Sequence, residues 1–212
     1  MYSILAIENS TNYLSIAYSI NKDSLKENFY HENHQNNASK YILEKIQQCL
    51  KGSIPQYIAV GIGPGAFTGV RLACSVAMGL AISWGIKVIP ICSLQSALEY
   101  FRIFNNLEYF NGRIIIDARM NEVYTAKFNL DNIWHLQEIE LLDIKTIFDD
   151  NLILSNISQI NTNINNIKHA QPHALGVLSL SFDNTDKAVL PQYITPNYVR
   201  NKVAYTIAER TS

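Results

Sequence analysis

Short apolar runs separated by polar turns dominate the first half of the chain. Continuous or alternating apolar residues predict strands, and apolar residues that recur every three or four positions predict helices. A glycine after the last apolar turn, as at Gly85, is a typical helix end. The predicted order is strand Ser3–Glu8, strand Leu14–Ile20, strand Leu25–His31, helix Tyr41–Leu50, strand Ile58–Ile62, helix Val70–Trp84 and strand Val88–Cys92, with Ser93 capping a further helix.

The same pattern begins again in the second half of the chain. A strand at Arg113–Asp117 ends in an acidic residue, as the first strand does, and further strands are predicted at Glu122–Phe128 and Ile133–Ile139. Glu8 and Asp117 correspond at an offset of 109 positions (117 − 8), which is too long for a solenoid repeat. The pattern predicts two similar lobes, each opening with a β-meander, as in the actin, Hsp70 and sugar-kinase architecture; a chance match of two meanders is the alternative.

The second predicted lobe is the smaller one. After its meander we find only a weak helix at Leu142–Phe148, a strand at Leu152–Leu154 and a helix at Ala174–Phe182. We therefore predict an α/β, actin-like (RNase H-like) fold with a truncated second lobe. The predicted division is residues 1–104 for the first lobe and residues 105–196 for the second, with residues 197–212 packing back on the first.

Composition limits the classes of function. The formal net charge is −1, whereas a protein that holds RNA by its phosphates usually has a basic surplus. The three cysteines have no CxxC spacing and lie in or beside apolar runs, which favours reduced thiols and a cytoplasmic location. The longest apolar stretch, Val70–Trp84, is interrupted by Arg71 and serines, so we expect no membrane span.

A glycine-rich loop joins the strand Ile58–Ile62 to the helix Val70–Trp84. Its signature residues are Gly63, Pro64, Gly65, Thr68 and Gly69. Thr68 is placed to cap the helix, and amides at such a strand–loop–helix junction can hold an anion. The loop matches neither the P-loop nor the GxGxxG pattern. A tight structural turn and an anion site both remain open for it.

Other polar residues offer little support for catalysis or metal binding. Asp117, Arg119 and Glu122 form a charged cluster in which Asp117 is either a general base or, as we favour, a strand-end carboxylate that pairs with Arg119 or caps a turn. The pair His31 and His34 lacks a carboxylate or cysteine partner, which favours solvated side chains. Two further histidines have ligand spacing, but a proline stands between them and would break the helix that aligns them; they are His169 and His173. We expect no catalytic, cofactor or metal residues.

The helix Val70–Trp84 is apolar on all sides, so something must cover each side. Either the chain itself encloses this helix, or a partner chain covers one face of it. Small residues every four positions would permit close packing against another helix. The predicted partner-contacting residues are Ile42, Ile46, Val70, Arg71, Ala73, Cys74, Ala77, Met78 and Ala81.

Several segments resemble the TsaB family of bacterial tRNA threonylcarbamoyladenosine biosynthesis proteins. The most specific is Gly-Pro-Gly-Ala-Phe-Thr-Gly-Val-Arg at Gly63–Arg71. Ile4–Thr11 is similar to the opening strand and turn of that family, with Glu8 where the family usually has aspartate. The match is weakest from Leu142 to Asp186. Further similar segments are Asp117–Tyr124 and, in the C-terminal region, Pro191–Tyr193 and Asn197–Arg200.

The resemblance implies an actin-like fold and a particular partner. Members pair with TsaD, the homologous subunit that transfers threonylcarbamoyl to the adenosine beside the anticodon, and TsaE, a small ATPase, binds the assembled pair. The resemblance also implies a scaffold and activator without cofactors, a homodimer in the absence of TsaD, and only indirect contact with tRNA. It favours a partner, over the chain itself, as the cover of the helix Val70–Trp84.

Two other functional classes stay under consideration. The first is an independent actin-like, ATP-dependent enzyme, but the turns at Asn9–Asn12 and Ala118–Asn121 have none of the glycines that let amides close around phosphates. The second is a zinc-dependent peptidase. Catalytic relatives carry two histidines on their first helix, whereas the matching segment here has Ala38 and no histidine pair.

Overall fold

The computed structural model describes residues 2–34, 37–131, 134–147, 152–157 and 166–199. Within these ranges the chain forms two β-sheets and four α-helices. The helices are α1 (Ile42–Leu50), α2 (Phe67–Trp84), α3 (Ser93–Asn105) and α4 (Ala174–Phe182). The strands are β1 (Ile4–Glu8), β2 (Tyr13–Ser19), β3 (Phe29–Asn33), β4 (Tyr57–Gly61), β5 (Lys87–Ile91), β6 (Tyr109–Arg119), β7 (Glu122–Asp131), β8 (Trp134–Leu136), β9 (Glu140–Asp143), β10 (Ile153–Ser155) and β11 (Ile167–His169).

The two sheets repeat one topology, which confirms the predicted internal repeat. The first sheet has the order β3-β2-β1-β4-β5. The second sheet, written from the corresponding edge, has the order β8-β7-β6-β10-β11. In the first, β1 is antiparallel to β2 and parallel to β4; in the second, β6 is antiparallel to β7 and parallel to β10. Glu8 and Asp117 therefore lie at equivalent places on the central strands, as predicted.

Helices cover both faces of the first sheet. Apolar side chains of α1 and α2 pack on one face, with Ile7, Ile16 and Val60 among the strand residues beneath them. The opposite face, with Ala6 and Ile89, packs against α4. Because both faces are covered, β1 is buried along its whole length, as expected for a central strand with parallel and antiparallel neighbours.

A pair of helices joins the two sheets. α3 packs on the second sheet through residues such as Leu98, while α4 packs on the first sheet. The two helices approach closely at Gly176, where an added Cβ would lie 2.0 Å from the carbonyl oxygen of Ser96. The layers therefore run from α1 and α2 through the first sheet, then α4 and α3, to the second sheet.

Most predicted elements are present, but some differ in type or position. The third strand begins at Phe29, four positions later than predicted. The predicted helix at Leu142–Phe148 is wrong: its first residues belong to β9, which pairs with β7, and a 3₁₀ turn follows at Ile144–Thr146. β11 was not predicted, and the predicted strand Ile133–Ile139 is short, as β8.

The packing of the last helix crosses the predicted division at residues 104 and 105, which stays a prediction. α4 belongs to the predicted second lobe by sequence, yet its core contacts are with the first sheet. The chain then stays with the first lobe, because Val189 forms a bridge to Val88 and the amide of Asn197 donates to the carbonyl of Ile62. The packing of the tail stays a prediction, because residues 200–212 lie outside the described ranges.

Candidate functional site

The glycine loop is tied to the turn that follows β1. Gly63 has a left-handed backbone conformation (φ 92°), which favours glycine. At Gly69 an added Cβ would lie 2.0 Å from the carbonyl oxygen of Asn9, so only glycine lets the two segments approach this closely. The amide of Ala66 donates to the carbonyl oxygen of Ser10 (2.6 Å). These contacts favour the structural interpretation of the loop.

α2 begins earlier than predicted, and Thr68 does not cap it. The helix starts at Phe67 with Ala66 at the N-cap, where no side chain accepts a hydrogen bond from the helix amides. Thr68 is therefore inside the first turn. Ser93 also differs from its prediction, because α3 starts at Ser93 itself and its hydroxyl points to Glu8 instead of a helix amide.

Glu8 is buried beneath the loop and fixes it. Its carboxylate accepts hydrogen bonds from the amide of Ser10 (2.8 Å) and the hydroxyl of Ser93 (2.9 Å), with the Ser96 hydroxyl 3.3 Å away. The amide of Gly63 in turn donates to Ser93 Oγ (3.1 Å). Burial raises the pKa of Glu8, and these hydrogen bonds offset part of that effect. Glu8 thus acts on the loop through Ser93.

A cleft lies where the two central strands end. It encloses a cavity of about 210 Å³ between the turn after β1 and the turn after β6, with the first turn of α2 as a third wall. Arg119 crosses the cleft and donates from Nη2 to Asn12 Oδ1 (2.8 Å). Asp117 pairs with Arg119 as predicted, since Arg119 Nη1 lies 3.5 Å from Asp117 Oδ2. The Arg119 amide also donates to Asp117 Oδ1 (2.8 Å), so the carboxylate caps the turn as well.

The geometry of this cleft differs from a phosphate cradle. Arg119, Met120 and Asn121 all have left-handed backbone conformations, and each carries a side chain in the turn. Ser10, Thr11 and Asn12 form the facing wall. Side chains, not open backbone amides, therefore line both turns, which is unfavourable for enclosing a triphosphate.

The two faces of α2 are very different. Most of the residues predicted to contact a partner lie in the core of this chain instead: Ile42, Ile46, Val70, Ala73, Cys74, Ala77 and Ala81. The small side chains of Ala73, Ala77 and Ala81 do permit close packing, but against the chain's own first sheet. Arg71 is exposed and Met78 is half-buried. The outer face consists of Thr68, Arg71, Leu72, Ser75, Val76, Met78, Gly79, Ile82 and Ser83.

This outer face mixes apolar residues with small polar ones, and the chain covers it only in part. α2 is long and apolar enough to cross a membrane by length and composition, as core helices of other proteins also are, and 28% of its residues are buried in the chain. Ile82 is 62% exposed, and Leu43 on α1, which packs on the same face of the first sheet, is 58% exposed. Leu72 and Val76 are half-buried at the rim of the core. We name this surface, Leu43 with the outer face of α2, the α1–α2 surface.

The histidines form an unexpected ring stack instead of a metal site. His31 stacks on Tyr13 and on His173, which in turn stacks on Tyr100 (4.0 Å between centroids). The prediction was a solvated His31, but its ring is half-buried in this stack. His173 caps α4, because its Nδ1 accepts a hydrogen bond from the amide of Leu175. Burial lowers the pKa of His31 to about 4 and that of His173 to about 3. Among the described residues, no group of three metal-ligating side chains converges.

A second buried carboxylate joins the two lobes. Glu99 on α3 accepts two hydrogen bonds from Arg102 (2.7 Å each), one from the Ser179 hydroxyl on α4 and one from the Trp134 indole on β8. Although its burial opposes ionisation, these donors lower the pKa of Glu99. Sequence reasoning missed this network, because its members are distant along the chain and no motif marks them.

Comparisons with known proteins agree with this geometry. The sequence model of one family, described as TsaD: tRNA N6-adenosine threonylcarbamoyltransferase, matches residues 28–210. The tRNA threonylcarbamoyladenosine biosynthesis protein TsaB of Haemophilus influenzae is 37% identical over 130 residues, which cover 59% of this chain and 53% of that protein. The match thus spans about half of this relative. The TsaB protein of Buchnera aphidicola subsp. Acyrthosiphon pisum is 28% identical over 70% of this chain and 68% of its own length.

Solved structures support the same fold along almost the whole chain. A Pseudomonas aeruginosa protein described as similar to peptidase YEAZ superposes with a TM-score of 0.79 at 24% identity, covering 94% of this chain and 100% of that one. YeaZ from Pseudomonas aeruginosa superposes with a TM-score of 0.77 at 25% identity, covering 93% and 100%. From the sequence model, the relatives and the shared two-sheet fold, we conclude that the chain belongs to the TsaD family and, within it, to the TsaB (YeaZ-type) branch.

Proposed function

We propose that this chain is a non-catalytic subunit in the biosynthesis of tRNA threonylcarbamoyladenosine. In this proposal it docks its α1–α2 surface on a related, TsaD-type catalytic subunit and so acts as scaffold and activator. The observation that carries the proposal is the outer face of α2, which exposes Ile82 and only half-buries Leu72 and Val76. An apolar patch that the chain itself leaves exposed often marks an interaction site.

The composition of the surface suits a subunit interface. Leu43, Leu72, Val76 and Ile82 supply apolar area, while Gly79 lies in the middle of the outer face with nothing within 4 Å of an added Cβ. A partner helix can therefore approach the α2 backbone closely. A TsaD-type subunit is a suitable occupant, because it shares the family fold and can present an equivalent pair of helices.

Two features of the cleft favour catalysis by a partner over catalysis by this chain alone. The cleft has side chains at both turns, and Arg119 spans it by donating a hydrogen bond to Asn12. These features favour a subunit whose active site lies on its partner. A TsaE-type ATPase would bind the assembled pair, tRNA would be contacted only through the complex, and two copies would pair through the same surface when the partner is missing. A cytoplasmic location suits this role.

A pairing experiment tests the docking surface. Size-exclusion chromatography with light scattering should show a stable heterodimer with the TsaD-type subunit of the same organism. Ile82→Arg should abolish pairing, because an unpaired charge would be buried in an apolar contact. Ile20→Arg is the matched control, since Ile20 is also exposed (52%) but lies at the end of β2, outside the surface. Undiminished pairing of a folded Ile82→Arg protein would contradict the proposed surface.

An enzyme assay tests the non-catalytic part. The isolated chain should neither hydrolyse ATP nor transfer threonylcarbamoyl, and activity should require the TsaD-type subunit. The cleft of about 210 Å³ is the observation that keeps an independent ATP-dependent enzyme as the second candidate. Micromolar ATP binding with turnover by the pure chain, lost in Asp117→Asn, would favour that candidate.

A further inference from the structure

An arginine held between two aromatic rings stands at one end of the α1–α2 surface. The guanidinium carbon of Arg71 lies 3.7 Å from the ring centroid of Phe67, one helical turn earlier on α2, and 5.5 Å from that of Tyr198. Arg71 Nε also donates a hydrogen bond to the Tyr198 hydroxyl (2.7 Å). The side chain is thereby fixed in one orientation although it is at the surface.

Tyr198 is itself held in place by the fold. The amide of the preceding residue, Asn197, donates to the carbonyl oxygen of Ile62 (2.7 Å). The ring of Tyr198 packs against that of Phe67 with centroids 5.8 Å apart. Phe67 is 36% exposed and Tyr198 is 49% exposed, so the rings support Arg71 without enclosing it.

This arrangement leaves binding capacity unused. A guanidinium has five N–H donors, of which the bond to Tyr198 uses only the one on Nε. Within the described ranges, neither terminal nitrogen of Arg71 has a hydrogen bond or an ion pair. Ordering a long side chain costs conformational entropy on binding, and here the rings have already fixed it. Arg71 is therefore prepared for a ligand that accepts a forked pair of hydrogen bonds.

The neighbouring residues indicate the chemistry of the partner. A carboxylate and a phosphate both fit an arginine fork. However, the remainder of the outer face of α2 is uncharged: Thr68, Leu72, Ser75, Val76, Met78, Gly79, Ile82 and Ser83. An RNA strand presents successive phosphates and requires several cations, whereas an apolar face with one charged residue at its rim is typical of protein interfaces. The surface favours a protein carboxylate.

We propose that Arg71, oriented by Phe67 and Tyr198, is the charged anchor of the α1–α2 surface and binds an aspartate or glutamate of the partner subunit. Arginine and large aromatic residues are the types that most often dominate binding at interfaces. The anchor fixes the rotational position of the partner on the apolar face, which by itself would permit sliding. The inference rests on the proposed function, because it assumes that this surface meets a TsaD-type subunit.

The test compares Arg71→Met with Ile82→Arg in the complete chain and its TsaD-type partner. Arg71→Met keeps an apolar side chain of similar reach and should weaken pairing by roughly tenfold to a hundredfold at low salt. The weakening should shrink at high salt, since the lost contact is ionic. Phe67→Leu should give a smaller loss, because Arg71 keeps its charge and loses only its support. Thermal unfolding of each variant checks that the fold is retained.

The outcomes separate the anchor from the docking surface. If Ile82→Arg leaves pairing intact, the proposed surface fails and the anchor with it. If Ile82→Arg abolishes pairing but Arg71→Met does not weaken it, only the anchor is overturned. Restored pairing between Arg71→Glu and a carboxylate-to-lysine variant of the partner would identify the contacting residue. If Arg71→Met leaves pairing unchanged but weakens tRNA binding by the complex in a gel-shift assay, the ligand is a phosphate and the carboxylate proposal is overturned.

Discussion

The imidazole of His173 at the start of α4 lies against the imidazole of His31 on β3, with ring centroids 4.3 Å apart. Tyr13 covers the outer side of His31, and Tyr100 covers the outer side of His173. The Nε2 atom of His31 lies 2.8 Å from the side-chain amide of Gln171. Burial lowers the pKa of both imidazoles and so keeps both rings neutral, and at His173 the adjacent His31 adds to the effect.

The histidine stack makes stability depend on mildly acid pH. The pKa is lowered to about 4 for His31 and about 3 for His173, against about 6.5 in an unfolded chain. Below pH ~6.5 the unfolded state therefore binds more protons than the folded state. The neutral histidines contribute their full share to the free energy of unfolding above pH ~6.5. This contribution is lost as the pH falls toward the pKa values of the folded state. The slope approaches about 1.4 kcal/mol per pH unit for each histidine.

Urea unfolding between pH 7.5 and pH 5 checks this expectation. His173→Asn retains an acceptor for the amide of Leu175 but cannot be protonated, so its free energy of unfolding should fall less steeply toward acid pH. His169→Asn is the control, because His169 is exposed on β11. Equal slopes for the wild type, His173→Asn and His169→Asn would show that the stack does not control acid stability.

A second prediction concerns Glu8 and the glycine loop. Glu8→Ala removes the acceptor of the Ser10 amide and the Ser93 hydroxyl, and leaves these buried donors unsatisfied. The free energy of unfolding should fall by about 3 kcal/mol or more. Glu8→Gln keeps a carbonyl acceptor and the shape of the side chain, so it should cost only about 1 kcal/mol. Chemical denaturation measures both, and equal losses would mean that hydrogen bonding to Glu8 is unimportant.

Two helical glycines provide a matched pair for a third prediction. In Gly176→Ala the new Cβ meets the Ser96 carbonyl at 2.0 Å, so α3 and α4 must separate and stability should fall by about 1–3 kcal/mol. In Gly79→Ala the new Cβ meets nothing within 4 Å, and the change should stabilise the isolated chain by about 0.5–1 kcal/mol. Denaturation curves of the two variants should shift in opposite directions. A Gly176→Ala protein that is as stable as the wild type or more stable would refute the close contact between the helices.

The repeat of the two sheets was predictable because hydrophobic patterning is local. Each central strand is a short apolar run that ends in an acid, and the adjacent antiparallel strands follow after short turns. The 3.6-residue period similarly gave α1 and α4, and Gly85, with its left-handed conformation, marks the end of α2 as predicted. These signals lie within a few residues of one another, so no tertiary information was needed.

The errors concern features that tertiary contacts decide. Leu142 is in β9 because it pairs with Val123 on β7, although its surroundings suggested a helix. Ser93 does not cap a helix because Glu8, distant in sequence, accepts its hydroxyl. The orientation of α2 was also undetermined, since a helix that is apolar on all sides gives no signal for which face meets the sheet.

The orientation of α2 leads to the last prediction, which compares its two faces in the isolated chain. Ala77 is fully buried against the first sheet, whereas Ile82 is 62% exposed on the opposite side. Ala77→Arg would place an unpaired charge and a long side chain in a close-packed core, and should lower the free energy of unfolding by about 3–5 kcal/mol. Ile82→Arg should change it by no more than about 0.5 kcal/mol, because the side chain can remain in water.

Circular dichroism during urea unfolding distinguishes the two variants. It is carried out at a protein concentration where light scattering shows a monomer, so that loss of self-association is not mistaken for loss of stability. A folded Ala77→Arg protein that unfolds like the wild type would mean that Ala77 faces outward and that the assignment of the α1–α2 surface is reversed. A strong loss of stability in Ile82→Arg would mean that Ile82 belongs to the core. Only the combination of a destabilised Ala77→Arg and a stable Ile82→Arg that fails to pair agrees with the packing of α2 described here.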